Sequence, residues 1–96
     1  MITSTSNTQV KNIIQLQKTT KARKKQGLFV VEGWKMCREM PKEWLQSVYV
    51  SEEFLENMSE QTRREYEERG ILNRVAEHVF LHMSHTKTPQ GILAVG

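Results

Sequence analysis

The chain opens on an amphipathic stripe. Val10, Ile13 and Ile14 recur at i, i+3 and i+4, the spacing of one apolar helix face, and Ser6 and Asn7 just before them are helix-capping residues. This predicts a helix from about 8 to about 19, with Leu16 off the main stripe toward another side. The segment Thr19-Thr20-Lys21-Ala22-Arg23-Lys24-Lys25-Gln26 has almost no apolar content. It reads as a basic extension of that helix or as a basic loop, punctuated by Gly27. In a continued helix Lys11, Lys18 and Lys25 would share one side, because seven residues are nearly two turns.

Leu28-Phe29-Val30-Val31 is a short β-branched and aromatic run that predicts a strand buried on both faces, broken by Glu32-Gly33. Trp34, Cys37 and Met40 follow at helical spacing until Pro41 ends it. Leu45 to Val50 alternates as a second strand. Ser51 caps a helix whose first turn holds Glu52 and Glu53, favourable at the positive end of the helix dipole, with Phe54, Leu55 and Met58 as its apolar contacts. Ser59 caps another helix through Arg69, with Gly70 as the left-handed residue that ends it and Ile71 folding back. A short third strand falls within Ile71 to Ala76. A helix follows from Glu77 to Met83 with Val79, Phe80 and Met83 inward, then a turn at Thr88-Pro89-Gln90-Gly91, and a last strand at Ile92 to Val95. The alternation predicts an α/β fold, a small three-layer sandwich of about four strands with flanking helices.

At 96 residues the chain holds one domain with one modest core and no room for a second. No apolar run approaches the ~20 residues of a membrane span, and the polar start Met1 to Asn7 has no apolar stretch of a secretory signal. The lone Cys37 cannot form an internal disulfide, which fits a reducing, cytoplasmic setting. Charge changes the picture. Residues 1–40 carry eight Lys/Arg against two Glu, a net +6, whereas residues 41–96 carry six against nine, a net −3. Clustered positive charge suggests a polyanionic partner, nucleic acid being the commonest, against a solvated basic face with no partner.

Three patterns in order then resemble one family. They are Ile2-Thr3-Ser4 with Asn7-Thr8-Gln9-Val10-Lys11, leading into a helix with Leu16; Arg23 followed by Gly27-Leu28-Phe29-Val30-Val31-Glu32-Gly33; and Met83-Ser84-His85-Thr86-Lys87-Thr88-Pro89-Gln90-Gly91-Ile92-Leu93-Ala94-Val95. Together they resemble the amino-terminal substrate-binding domain of the SpoU family of RNA ribose 2′-O-methyltransferases. Thr8 departs from the family's Asn-Pro start, which touches helix pre-organisation and not role. The resemblance implies a fold similar to that of a kink-turn-binding ribosomal protein. It also implies a catalytic SPOUT domain after residue 96, S-adenosylmethionine as cofactor of that domain and none in this chain, and a homodimeric parent. The expected partner is structured RNA, ribosomal or transfer, with no DNA and no membrane. A chain that stops as a buried strand finishes reads as a piece of a longer protein.

The residues themselves offer matching chemistry. Lys11, Lys18, Lys21, Arg23, Lys24 and Lys25 can meet phosphates, with counterion release making binding salt-dependent. Arg23 stands out, since its planar fork binds phosphate or stacks on a base; alternatively it pairs with Glu32 and closes the basic loop. Glu32 and Gly33 end a strand where ligand-facing loops lie. Glu32 either orients Arg23 or Lys35, accepts from a base or 2′-hydroxyl, or simply ends the strand. Thr86, Lys87, Thr88 and Gln90 suit sugar-phosphate contacts, or serve a turn shaped by Pro89 and Gly91. His78, His82 and His85 fall at i, i+4, i+7, but a zinc site needs converging ligands or a His-Glu-x-x-His run, so no metal is assigned. The aromatic residues are expected to be core, with Trp44 and Tyr66 the least securely placed. No nucleophile with a base partner is visible, so the chain alone is expected to be non-catalytic. The rivals are a free-standing ribosomal or kink-turn RNA-binding protein and an adaptor using the acidic helix from Ser51 to Arg69.

Overall fold

A computed structural model describes all of residues 1–96. Six α-helices surround a four-stranded sheet of order β1-β4-β2-β3. The strands are β1 (Val30–Glu32), β2 (Ser47–Ser51), β3 (Leu72–Val75) and β4 (Ile92–Val95). β4 runs antiparallel to both β1 and β2, with Val31 opposite Ala94 and Tyr49 opposite Leu93, while β2 and β3 run parallel. Ile2 adds an isolated parallel bridge to Val75 at the β3 edge.

The two-residue period of the strands sorts the core into two halves. On one face Tyr49, Val75, Leu93 and Val95 pack against Val10, Ile13 and Leu16 of α1 (Thr8–Lys18) and Val79, Phe80 and Met83 of α6 (Glu77–Met83). On the other, Val48, Val50, Ile92 and Ala94 meet Cys37 of α3 (Trp34–Glu39), Leu55 of α4 (Glu52–Asn57) and Tyr66 of α5 (Glu60–Glu68). The expected three-layer sandwich is the observed one. β4, buried at every position, is its centre, because helices cover both of its faces.

The helix ends follow the capping chemistry. The Asn7 side chain accepts from the Gln9 and Val10 amides at 2.8 and 3.2 Å, and Ser51 and Ser59 accept from Phe54 and Thr62. Gly70, at φ 68°, lets Ile71 donate back to the Tyr66 carbonyl.

Three local expectations need correction. Leu16 lies fully in the core with Val10 and Ile13, since steps of three place all of them on one broad face. The first helix does not continue through the basic segment. Thr19 turns extended (φ −124°, ψ 130°) and its hydroxyl caps a separate helix, α2 (Thr20–Gln26), by accepting from Ala22. Lys25 therefore does not extend the line of Lys11 and Lys18. The first strand is shorter than Leu28–Val31 and is an edge strand, half-buried and paired only with β4. The last helix, by contrast, ends at Met83 as its spacing predicts, so His85 lies past it and the three histidines do not share a helix.

Candidate nucleic-acid interface

The basic segment is a short helix with no buried residue, held on by polar ties. Asn12 of α1 and Gln26 of α2 exchange two amide hydrogen bonds at 2.8 and 3.0 Å. Arg23 donates Nη1 to the Leu16 and Gln17 carbonyls at 2.6 and 3.2 Å, and Nη2 to the Thr20 hydroxyl at 3.1 Å. It thus satisfies carbonyls left open at the α1 C-terminus, where a cation also complements the dipole. Arg23 and Glu32 line the same cleft without forming an ion pair. Lys21, Lys24 and Lys25 are left on the exposed surface of α2, with Lys11 and Lys18 on that of α1.

Glu32, at the end of β1, fixes the loop that leads from α6 to β4. Its carboxylate accepts from the Ser84 hydroxyl, from the His85 amide at 2.9 Å and from the Thr86 hydroxyl at 3.1 Å. Its partners are therefore loop atoms, and neither Arg23 nor Lys35 forms an ion pair with it. The other end of the loop is pinned by Gln90. Its side-chain oxygen accepts from the Trp34 amide at 2.8 Å, supplying the cap that Gly33 lacks. Gly33, at φ 91°, admits this approach: a Cβ there would lie 3.1 Å from the same oxygen. Lys35 is exposed on α3 and Lys87 at the loop tip.

Charge pairing separates the cations into two groups. Lys42, Arg63, Arg64 and Arg74 each pair with a glutamate, and Arg69 donates to the Lys42 and Leu45 carbonyls. Lys11, Lys18, Lys21, Lys24, Lys25, Lys35, Arg38 and Lys87 have no carboxylate within ion-pair distance. The first three sit with Lys24 and Lys25 on the α1–α2 hairpin, whose positive field is unbalanced locally. Between hairpin and loop lies an open cleft of about 340 Å³ that brings together Arg23, Glu32 and Thr86.

A model of the MRM3-like substrate binding domain matches residues 7–94. The chain belongs to this family. Among solved structures, the AdoMet-bound rRNA methyltransferase from Sinorhizobium meliloti is similar, with a TM-score of 0.74 at 23% identity over 98% of this chain and 34% of that one. A second structure of an rRNA methyltransferase from Sinorhizobium meliloti gives 0.71 at 23% over 98% and 35%. An RNA 2′-O ribose methyltransferase gives 0.71 at 27% over 98% and 36%. The chain spans about a third of the length of these proteins. No curated protein matches it.

Two residues of the site carried little signal in the sequence. Ser84 donates to Glu32 and Gln17 lines the cleft. Ser84 falls within the loop pattern, and nothing in the spacing singles out Gln17. Cys37 is a small buried hydrophobe on the opposite helical layer; burial, with a smaller push from the Glu32 charge, raises its thiol to about 12. It is not a nucleophile at neutral pH. No helix is long and apolar enough to cross a membrane.

Proposed function

We propose that this domain recognises structured RNA, ribosomal or transfer, for an S-adenosylmethionine-dependent ribose 2′-O-methyltransferase of the SpoU family. A SPOUT catalytic domain beyond residue 96 would transfer the methyl group. The observation that carries the reading is the cluster of five unpaired lysines on the α1–α2 hairpin of a substrate-binding family member, whereas Lys42, Arg63, Arg64 and Arg74 elsewhere are each paired with a glutamate. Lysines without carboxylate partners are free to displace counterions from phosphates. Lys11, Lys18, Lys21, Lys24 and Lys25 take the sugar-phosphate backbone, and Thr86, Lys87 and Gln90 approach it from the loop.

Arg23 acts as the strut that holds α2 in place, and Glu32 and Gly33 hold the loop. The cleft beside the hairpin offers no free carboxylate to a cofactor. Glu32, the one carboxylate in the cleft, is already engaged with Ser84, His85 and Thr86. S-adenosylmethionine belongs to the catalytic portion on this reading, the whole protein working in the cytoplasm as a homodimer.

The test is RNA binding by the 96-residue chain across a salt series, with Lys24→Ala/Lys25→Ala alongside. Each lysine removed is expected to reduce the slope of log K against log salt by about 0.7–1, with Tm unchanged because neither side chain has a partner. RNA binding that ignores both salt and the double substitution defeats the reading.

A further inference from the structure

The cleft between the α1–α2 hairpin and the loop holds more than charge. Phe29 forms part of its wall. Phe29 and Trp44 are the most exposed of the aromatic residues, at 36% and 55%, and they meet edge to face with ring centroids 6.5 Å apart. An exposed indole therefore packs against one residue of the cleft wall. Gln17 lines the same cleft, and its side-chain Nε2 is cut off from solvent without a hydrogen-bond acceptor. A buried donor left without a partner is rare in a native fold and points to a missing acceptor. Arg23 does not supply one, since its nitrogens are donors spent on the carbonyls of Leu16 and Gln17. The helix that borders the cleft carries the unpaired Lys21, Lys24 and Lys25.

We propose that this cleft seats one unpaired nucleobase of the bound RNA. The base lies against the Phe29–Trp44 pair, and the Gln17 amide, rotated about its terminal side-chain bonds, donates to a carbonyl or ring nitrogen on the base edge. The flanking phosphates pass over the lysines of α2. This rests on the reading of the chain as an RNA-binding domain and narrows its substrate. A continuous duplex cannot fill the cleft, because its bases stay stacked and its major groove is too narrow for side chains. A loop or bulge can, because aromatic rings and a positive groove together are what an unstacked base requires.

The experiment titrates a hairpin with an unpaired loop and a fully paired duplex of equal length into a Trp34→Phe variant, which leaves Trp44 as the only fluorophore of its kind. The loop RNA is expected to bind at least tenfold more tightly and to quench Trp44. Trp44→Ala and Phe29→Ala are expected to weaken loop binding by roughly fivefold to a hundredfold each, at an unchanged salt slope. Gln17→Met is expected to weaken loop binding without lowering Tm, whereas a glutamine that only supported the fold would lower Tm when replaced. Equal binding of loop and duplex, or loop binding unaltered in Trp44→Ala and Phe29→Ala, overturns the inference. If that binding still falls with salt and with Lys24→Ala/Lys25→Ala, the RNA-recognition reading survives and the aromatic surface serves another partner. If neither RNA binds, both readings fall together.

Discussion

Replacing Glu32 with alanine tests how the loop before β4 is held. The substitution removes the acceptor for three donors at once: the Ser84 hydroxyl, the His85 amide and the Thr86 hydroxyl. A hydrogen bond to a charged acceptor contributes roughly 1.5–3 kcal/mol when shielded from water. Only the bond to Ser84 is partly shielded; His85 and Thr86 are exposed, and water can replace Glu32 there. The cost is therefore about 2 kcal/mol, most of it from Ser84. In a domain of this size that corresponds to a drop in Tm of roughly 8–16 °C. Glu32→Gln should cost about half as much, because the amide keeps an oxygen for the His85 amide, while Ser84 can turn to accept from its NH2. Scanning calorimetry measures the shift, and amide hydrogen exchange locates it. Residues 84–90 should exchange faster in Glu32→Ala, while β2 and β4 should keep their protection relative to global unfolding. A Tm within about 1 °C of the parent, or loosening spread evenly over the sheet, would refute the idea that Glu32 clamps this loop.

Three further outcomes follow from particular contacts. Thr8→Pro should stabilise the fold by about 0.4–1 kcal/mol in urea titration, since Asn7 is already extended (φ −57°, ψ 137°) and the Thr8 amide has no acceptor to lose. Gly91→Ala should destabilise by about 2–4 kcal/mol by the same measurement. Gly91 sits at φ 106°, and an added Cβ meets the Ser51 hydroxyl and comes within 3.0 Å of the Phe54 Cβ. The Cys37 thiol is raised from 9.0 to about 12, chiefly by burial, so the folded state holds this proton more tightly than the unfolded chain. Its contribution is complete below pH 9 and is lost as pH rises toward 12, at up to about 1.4 kcal/mol per pH unit. Thermal melts at alkaline pH should therefore fall less steeply in Cys37→Ala than in the parent; parallel curves would argue against it.

The local order of elements was legible because each depends on neighbours in sequence. Asn7, Ser51 and Ser59 cap helices through amides two or three residues away, and Gly70 ends one by a left-handed turn. Thr19 carried the same kind of signal inside the basic segment, where the lysines around it obscured the break. The edge position of the short first strand is hidden from the sequence for a different reason. Apolar composition in Leu28 to Val31 indicates burial somewhere, but edge or centre is set by which strand pairs with it. That partner, β4, lies more than sixty residues later in the chain.

The candidate site divides in the same way. The sequence named Arg23, Glu32, Gly33, Thr86, Lys87 and Gln90 as site residues and located the positive charge in the first 40 residues. It could not say that Arg23 spends its guanidinium on α1, that Glu32 holds the loop instead of a cation, or that Gln90 caps α3 from 56 positions away. By itself the sequence determined the elements, the α/β class and the charge asymmetry, since these follow from spacing and residue type. Only the tertiary structure decided which cations lack partners and which aromatic residues reach the surface. Pairing and exposure are properties of chain segments that meet in space, and no local pattern encodes the meeting.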